Sequence, residues 1–119
     1  MEYALLFYHP PATELPAAER APVIAQMLDD MRVWLGELRQ AGVYRATLRL
    51  AGPETAHSLR GQAGDVMITD GPYAETKEVL GGFALIDCAS RDEALRWARS
   101  CPLVRIGTIE VRAEAGPRT

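Results

Sequence analysis

A chain of 119 residues that is 48% hydrophobic and 24% charged can build one folded core and is too short for two, so it is read as one domain over residues 1–119. Its net charge of −3, its pI near 5.4 and its single lysine, Lys77, argue against a basic nucleic-acid footprint and against attraction to an anionic membrane. No apolar run nears the roughly 18 residues that cross a bilayer. The start, Met1-Glu2-Tyr3, is acidic and its apolar run is too short for a signal peptide, so a cytoplasmic protein is expected.

Residues 2–8 are apolar and rich in aromatics, which predicts a buried first strand, stopped by His9-Pro10-Pro11 because proline cannot donate to a ladder. Residues 10–21 are rich in proline and alanine and read as a loop. Residues 22–41 have helical spacing: Ile24, Met27, Leu28, Met31, Leu35 and Leu38 form one stripe with Trp34 at its margin. Pro22 suits the first turn and Gly42 the stop. Gly36, in mid-helix, is expected to mark close packing against another element.

Residues 43–50 alternate, with Val43, Arg45, Thr47 and Arg49 on one side and Tyr44, Ala46, Leu48 and Leu50 on the other, which predicts a second strand. After a turn at 51–54, residues 56–60 and 65–69 flank Gly61-Gln62-Ala63-Gly64 and read as a hairpin. Gly82 to Cys88 is apolar on both faces until Asp87, as in a central strand. Ser90-Arg91-Asp92-Glu93 is a capping box opening a helix over 91–100, which Pro102 ends. Residues 107–112 form a last strand, and the tail 113–119 is expected to fray. The order is β-α-β, a hairpin, then β-α-β. It predicts an α+β, ferredoxin-like split βαβ fold with an inserted hairpin, and an antiparallel sheet with two helices on one face. The other sheet face is left apolar, and a second copy packed sheet to sheet would cover it.

The stretch from Asp70 to Gly82 gathers four ionisable side chains, two hydroxyls and three glycines between strand-like runs. Here Asp70-Gly71-Pro72-Tyr73, followed by Ala74-Glu75-Thr76-Lys77-Glu78 and Leu80-Gly81-Gly82-Phe83, resembles the signature of the YCII-related proteins, specifically the subgroup named for Asp-Gly-Pro-Phe. Asp92-Glu93-Ala94-Leu95, Cys101-Pro102 and the closing Gly107 to Arg112 continue the resemblance, and Tyr73 stands where the subgroup has Phe. The resemblance implies a dimeric α/β barrel, without an assigned reaction. It also implies neighbourhood to extracytoplasmic-function sigma factors, hence a sigma-factor association as one reading of the partner. Some relatives are suggested to use a His–Asp pair with the His near the start of the first helix; no histidine stands there in this chain.

Asp70, at a strand end, is the first catalytic candidate, as a general base; capping its own turn is the plainer alternative. His9, closing the first strand, is a possible second acid/base, or a surface residue. Lys77 is read as the anchor for an anionic substrate, or as one member of an ion-pair network with Glu75 and Glu78. Tyr73, Thr76 and Glu78 complete the substrate-binding candidates. Arg45 and Arg49 share a strand face that solvent or a partner is expected to cover. Asp87 is read either as a buried, shifted carboxylate or as the strand's exit to solvent. His57, at an exposed hairpin start, is assigned no role. Cys88 and Cys101 are expected to be buried, reduced thiols. The two histidines lie far apart without a ligand motif, so no metal is expected, and no glycine-rich phosphate loop calls for a cofactor. Two functions follow. One is a cofactor-independent proton-transfer, hydrolytic or lyase enzyme acting on a small organic acid at a dimer cleft. The other is a non-catalytic sensor or regulatory partner protein.

Overall fold

The computed structural model describes residues 1–11 and 14–116. In chain order the elements are β1 (Glu2–His9), α1 (Ala17–Gln40), β2 (Tyr44–Arg49), β3 (His57–Gln62), β4 (Asp65–Asp70), β5 (Val79–Asp87), α2 (Arg91–Ser100) and β6 (Thr108–Ala113). Short 3-10 turns lie at Pro53–Thr55 and Pro102–Arg105. Four strands form one antiparallel sheet in the order β2-β5-β1-β6, and β3 and β4 pair only with each other. This is the ferredoxin-like α+β arrangement with an inserted hairpin.

The alternation of β1 sends Tyr3, Leu5 and Phe7 to one face, where Ala84 and Ile86 of β5 join them. Both helices cover that face. α1 contributes Trp34 and Leu38, which are 2% and 0% exposed, and α2 contributes Ala94 and Ala98. Trp34 is therefore central to the packing and not marginal to it. Its ring meets Phe7 edge-on at 6.1 Å, and its Nε1 donates to the Trp97 carbonyl at 3.1 Å. Cys88 and Cys101 are free, buried thiols, and burial pushes Cys101 up to about 11.

The boundaries that differ from expectation have local causes. α1 begins at Ala17, so Pro22 lies inside the helix. Residues 12 and 13 of the expected 10–21 loop, and 117–119 of the expected frayed tail, lie outside the described residues. Gly36 is exposed and a methyl group there would meet nothing, so close packing does not explain it. α1 ends as expected, with Gly42 at φ +77°. The Gly42 N–H donates to the Arg39 carbonyl and the Val43 N–H to the Leu38 carbonyl, closing a Schellman motif. A register irregularity between Tyr44 and Ala46 breaks the simple alternation of β2: Tyr44 packs against the core, opposite Ile86. β5 starts at Val79, three residues before Gly82, so the irregular part of the loop is residues 71–78. Ser90 caps α2 as its sequence predicts, accepting from the Glu93 N–H at 3.2 Å, while Glu93 reaches back to the Ala89 N–H at 2.8 Å.

The far face of the sheet is bare. Register places Leu6, Tyr8, Leu48, Phe83 and Leu85 on it, each half-buried or exposed, and no helix lies over it. The chain is also spread out. Its radius of gyration is 16.5 Å and its extents are 50 × 46 × 18 Å, whereas a compact chain of this length has a radius of gyration of about 13.5 Å. No described helix is long and apolar enough to cross a membrane.

Candidate functional site

The β3–β4 hairpin turns on Ala63 and Gly64, both at positive φ (+51° and +84°), the two-residue geometry that matches strand twist. The expected four-residue loop would set Arg60 opposite Asp65 and Asp70 opposite Thr55. The tighter turn sets Asp70 opposite His57. Gly71 then closes the base of the hairpin: its N–H donates to the Ala56 carbonyl at 2.7 Å, and its own carbonyl accepts from Ser58 Oγ at 2.8 Å. Gly71 does so at φ +96°, which explains a glycine after Asp70.

The result is a His–Asp pair. His57 Nδ1 lies 3.1 Å from Asp70 Oδ1, and both side chains are largely exposed. An ionised carboxylate only accepts, so Nδ1 carries the proton and the Nε2 lone pair is left to act as a base. Asp70 makes no Asx-turn, because its side chain bonds to His57 and not to the loop backbone. The pair escapes a reading of the sequence alone because its 13-residue separation acquires meaning only once the turn is placed.

The other candidates do not gather around this pair. His9 Nδ1 donates to the Pro10 carbonyl at 2.8 Å, and its ring fills the space above Gly81, where a side chain would collide with it. Thr76 Oγ1 donates to the Glu78 carbonyl within the loop. Glu78 Oε1 accepts from Thr108 Oγ1 at 2.8 Å, pinning the loop's end to β6. Among the described residues Lys77 pairs with neither Glu75 nor Glu78, so the expected ion-pair network is not formed and the ammonium is exposed. Tyr73 folds back over the hairpin, with the Arg60 guanidinium 5.7 Å from its ring centroid. Together with Ser58, Met67 and Thr69 these two line an open groove of about 380 Å³. The groove lies on the opposite hairpin face from the His57–Asp70 pair, because side chains alternate along each strand.

At the distal end of β5, Asp87 is half-exposed and bound twice, by the Met1 ammonium at 3.0 Å and by Arg45 at 3.3 Å. The Met1 ammonium first, then Arg45, holds its carboxyl below the usual range. Asp87 is thus a tie between β5, the chain start and β2. Arg49 is exposed at the end of β2.

These features define a ferredoxin-like α+β protein with a hairpin arm. The chain belongs to the YCII-related family: the YCII-related domain matches residues 1–113. An uncharacterised protein of Rhizobium meliloti (strain 1021) is 48% identical over 75 residues, which are 61% of this chain and 60% of that protein, so the match spans about three fifths of the relative's length. Among solved structures, a 5-chloro-2-hydroxyhydroquinone dehydrochlorinase from Burkholderia phenoliruptrix, in complex with 2,5-dihydroxybenzoquinone, superposes with a TM-score of 0.57. The likeness covers 95% of this chain and 92% of that one at 13% sequence identity, and what it shows is the shared fold.

Proposed function

We propose that the protein is a small-molecule enzyme that moves protons without a cofactor and works as a homodimer, with His57 as its base and Asp70 as the carboxylate that orients it. The observation that carries this is the 3.1 Å contact between His57 Nδ1 and Asp70 Oδ1. Asp70 fixes the tautomer with the proton on Nδ1, directs Nε2 outward, and stabilises the imidazolium once Nε2 has taken a proton. Asp70 is thus the positioning residue, and the base role first considered for it passes to His57.

One base of this kind serves three related reactions. Returning the proton to a different carbon is isomerisation; losing a leaving group as the proton departs is a lyase reaction; taking the proton from water is hydrolysis. The lyase branch has support at the level of fold, since the solved neighbour is named as a dehydrochlorinase. Lys77, the chain's one lysine and unpaired among the described residues, supplies a cation for the carboxylate or phenolate of a small organic acid. The pairing of two chains is supported by the bare apolar face bearing Leu6, Tyr8, Phe83 and Leu85, which a second sheet would cover.

The test is turnover of a panel of chlorinated hydroxyhydroquinones and small keto acids in D2O, read as chloride release and as deuterium incorporation. His57→Gln is expected to lose about 10²–10⁴-fold in kcat/KM. Asp70→Asn is expected to lose at least about tenfold, because the amide no longer enforces the tautomer. Lys77→Ala is expected to raise KM with little change in kcat. Equal turnover by wild type and His57→Gln, or no turnover of any panel member, contradicts the proposal.

A further inference from the structure

The hairpin spends its own loop on the wrong face for a protein that works alone. Pro72 and Tyr73 fold across the side bearing Ser58, Arg60, Met67 and Thr69. The opposite side carries Leu59, Val66 and Ile68, which are 63%, 64% and 67% exposed. Register makes this one continuous patch: Leu59 faces Ile68, and Gly61 faces Val66. His57 and Asp70, the next pair along, sit at its base on the same side. An isolated two-stranded hairpin is marginally stable in water, and apolar side chains bared on an unpaired strand pair invite association.

We infer that this apolar face of the β3–β4 arm packs against a second copy of this chain, so that the His57–Asp70 pair of each protomer is enclosed by its partner and the site is incomplete in the monomer. The occupant follows from chemistry and from size. The patch carries no lysine or arginine, so nucleic acid and anionic membrane have nothing to bind there. A second bare apolar face exists on the same chain, the far side of the sheet, and two such faces complement each other without any other partner. A four-stranded face measures about 19 Å across and 20 Å along, or roughly 400 Å², while a stable pair of chains buries about 800 Å² on each. The sheet alone supplies about half of that, and the arm's face, roughly half the sheet's area, brings the total to about three quarters. Enclosure also gives the pair what an exposed dyad lacks, a surrounding from which water is displaced when substrate binds.

This inference rests on the homodimer reading above, and the experiment separates the two. Sedimentation equilibrium over a range of concentrations measures the dimer dissociation constant of wild type, of Leu59→Asp/Ile68→Asp on the apolar face, and of Gln62→Asp/Met67→Asp on the opposite face of the same arm. Near-UV circular dichroism of Trp34 and Trp97 confirms that the body is intact in each. The expected result is a dimeric wild type, an apolar-face variant whose dissociation constant rises at least about a hundredfold, and an opposite-face variant within about threefold of wild type. If both variants dimerise like wild type, the arm inference fails and the sheet-paired dimer stands. If both weaken equally, the effect belongs to added charge and the arm inference again fails. A monomeric wild type at tens of micromolar overturns both.

Discussion

The four-stranded body and the β3–β4 arm are made of the same kinds of residue and solve opposite problems. In the body, every second residue of β1 and β5 is buried under two helices, and Trp34, Leu38 and Ile86 are almost wholly removed from water. In the arm, the two strands pair over all six positions, yet no side chain of either is fully buried. The backbone bonds of the arm are made, but its apolar side chains gain nothing from them within one chain. Strand pairing therefore fixes which residues share a face without specifying what covers that face. The body satisfies its own pattern, whereas the arm's pattern points to a surface beyond the chain. The one His–Asp pair among the described residues is built on the region that is not self-sufficient, in line with function residing on elements of low intrinsic stability.

The contrast is broken most severely by emptying the body. Trp34→Ala removes the largest fully buried side chain together with its bond to the Trp97 carbonyl, and is expected to cost about 3–5 kcal/mol in urea denaturation. Tyr73→Ala, which strips the ring from the exposed arm loop, is expected to stay within about 0.5 kcal/mol in the same assay. A similar loss for both substitutions would remove the distinction between the regions.

Close backbone approach provides the next test. A methyl group at Gly82 would lie 2.5 Å from the Leu48 carbonyl oxygen, a backbone atom held in the sheet by the β2–β5 ladder. Gly82→Ala is therefore expected to destabilise by about 1–3 kcal/mol. Gly36→Ala, on the open side of α1, is expected to stabilise by about 1 kcal/mol, since it trades backbone entropy for helix propensity and meets no neighbour. Thermal melts of the two variants should shift in opposite directions.

The smallest effect is the pH dependence of the tie at Asp87. Its carboxyl is held below its ordinary 3.8, chiefly by the Met1 ammonium. A depressed carboxylate stabilises the fold above its unfolded value, and that contribution is lost as the pH falls through the folded one. The Met1 ammonium is raised above its ordinary 8.0, chiefly by Asp87, so its contribution is full below that value and is lost as the pH rises through the folded one. Asp87→Asn should flatten the stability profile at both ends and leave the arm unaffected.

Most of the fold was legible because its signals are local. The aromatic-rich apolar run of β1, the capping box at Ser90 and the stop at Gly42 each act within a few residues. What was not legible depended on contacts between distant residues. Leu48 shared one face of β2 with Tyr44 in the simple alternation, until a register irregularity kept Tyr44 against the core and left Leu48 on the open side. Trp34 looked marginal because helical spacing does not say which flank of a stripe the sheet will meet. His57 looked idle because its partner depends on whether the hairpin turns on two residues or four. The loop signature drew attention to Asp70, and the structure supplied the histidine opposite it.

The most direct measurement is native-state hydrogen exchange of the arm amides, followed at two protein concentrations a hundredfold apart on either side of the dimer dissociation constant. The account predicts that the Arg60, Met67 and Thr69 amides, which point across the hairpin, are protected at the higher concentration and lose that protection on dilution, while Leu5 and Ile86 in the body hold theirs at both. Arm protection that is independent of concentration would show that the hairpin needs no partner and would contradict the account.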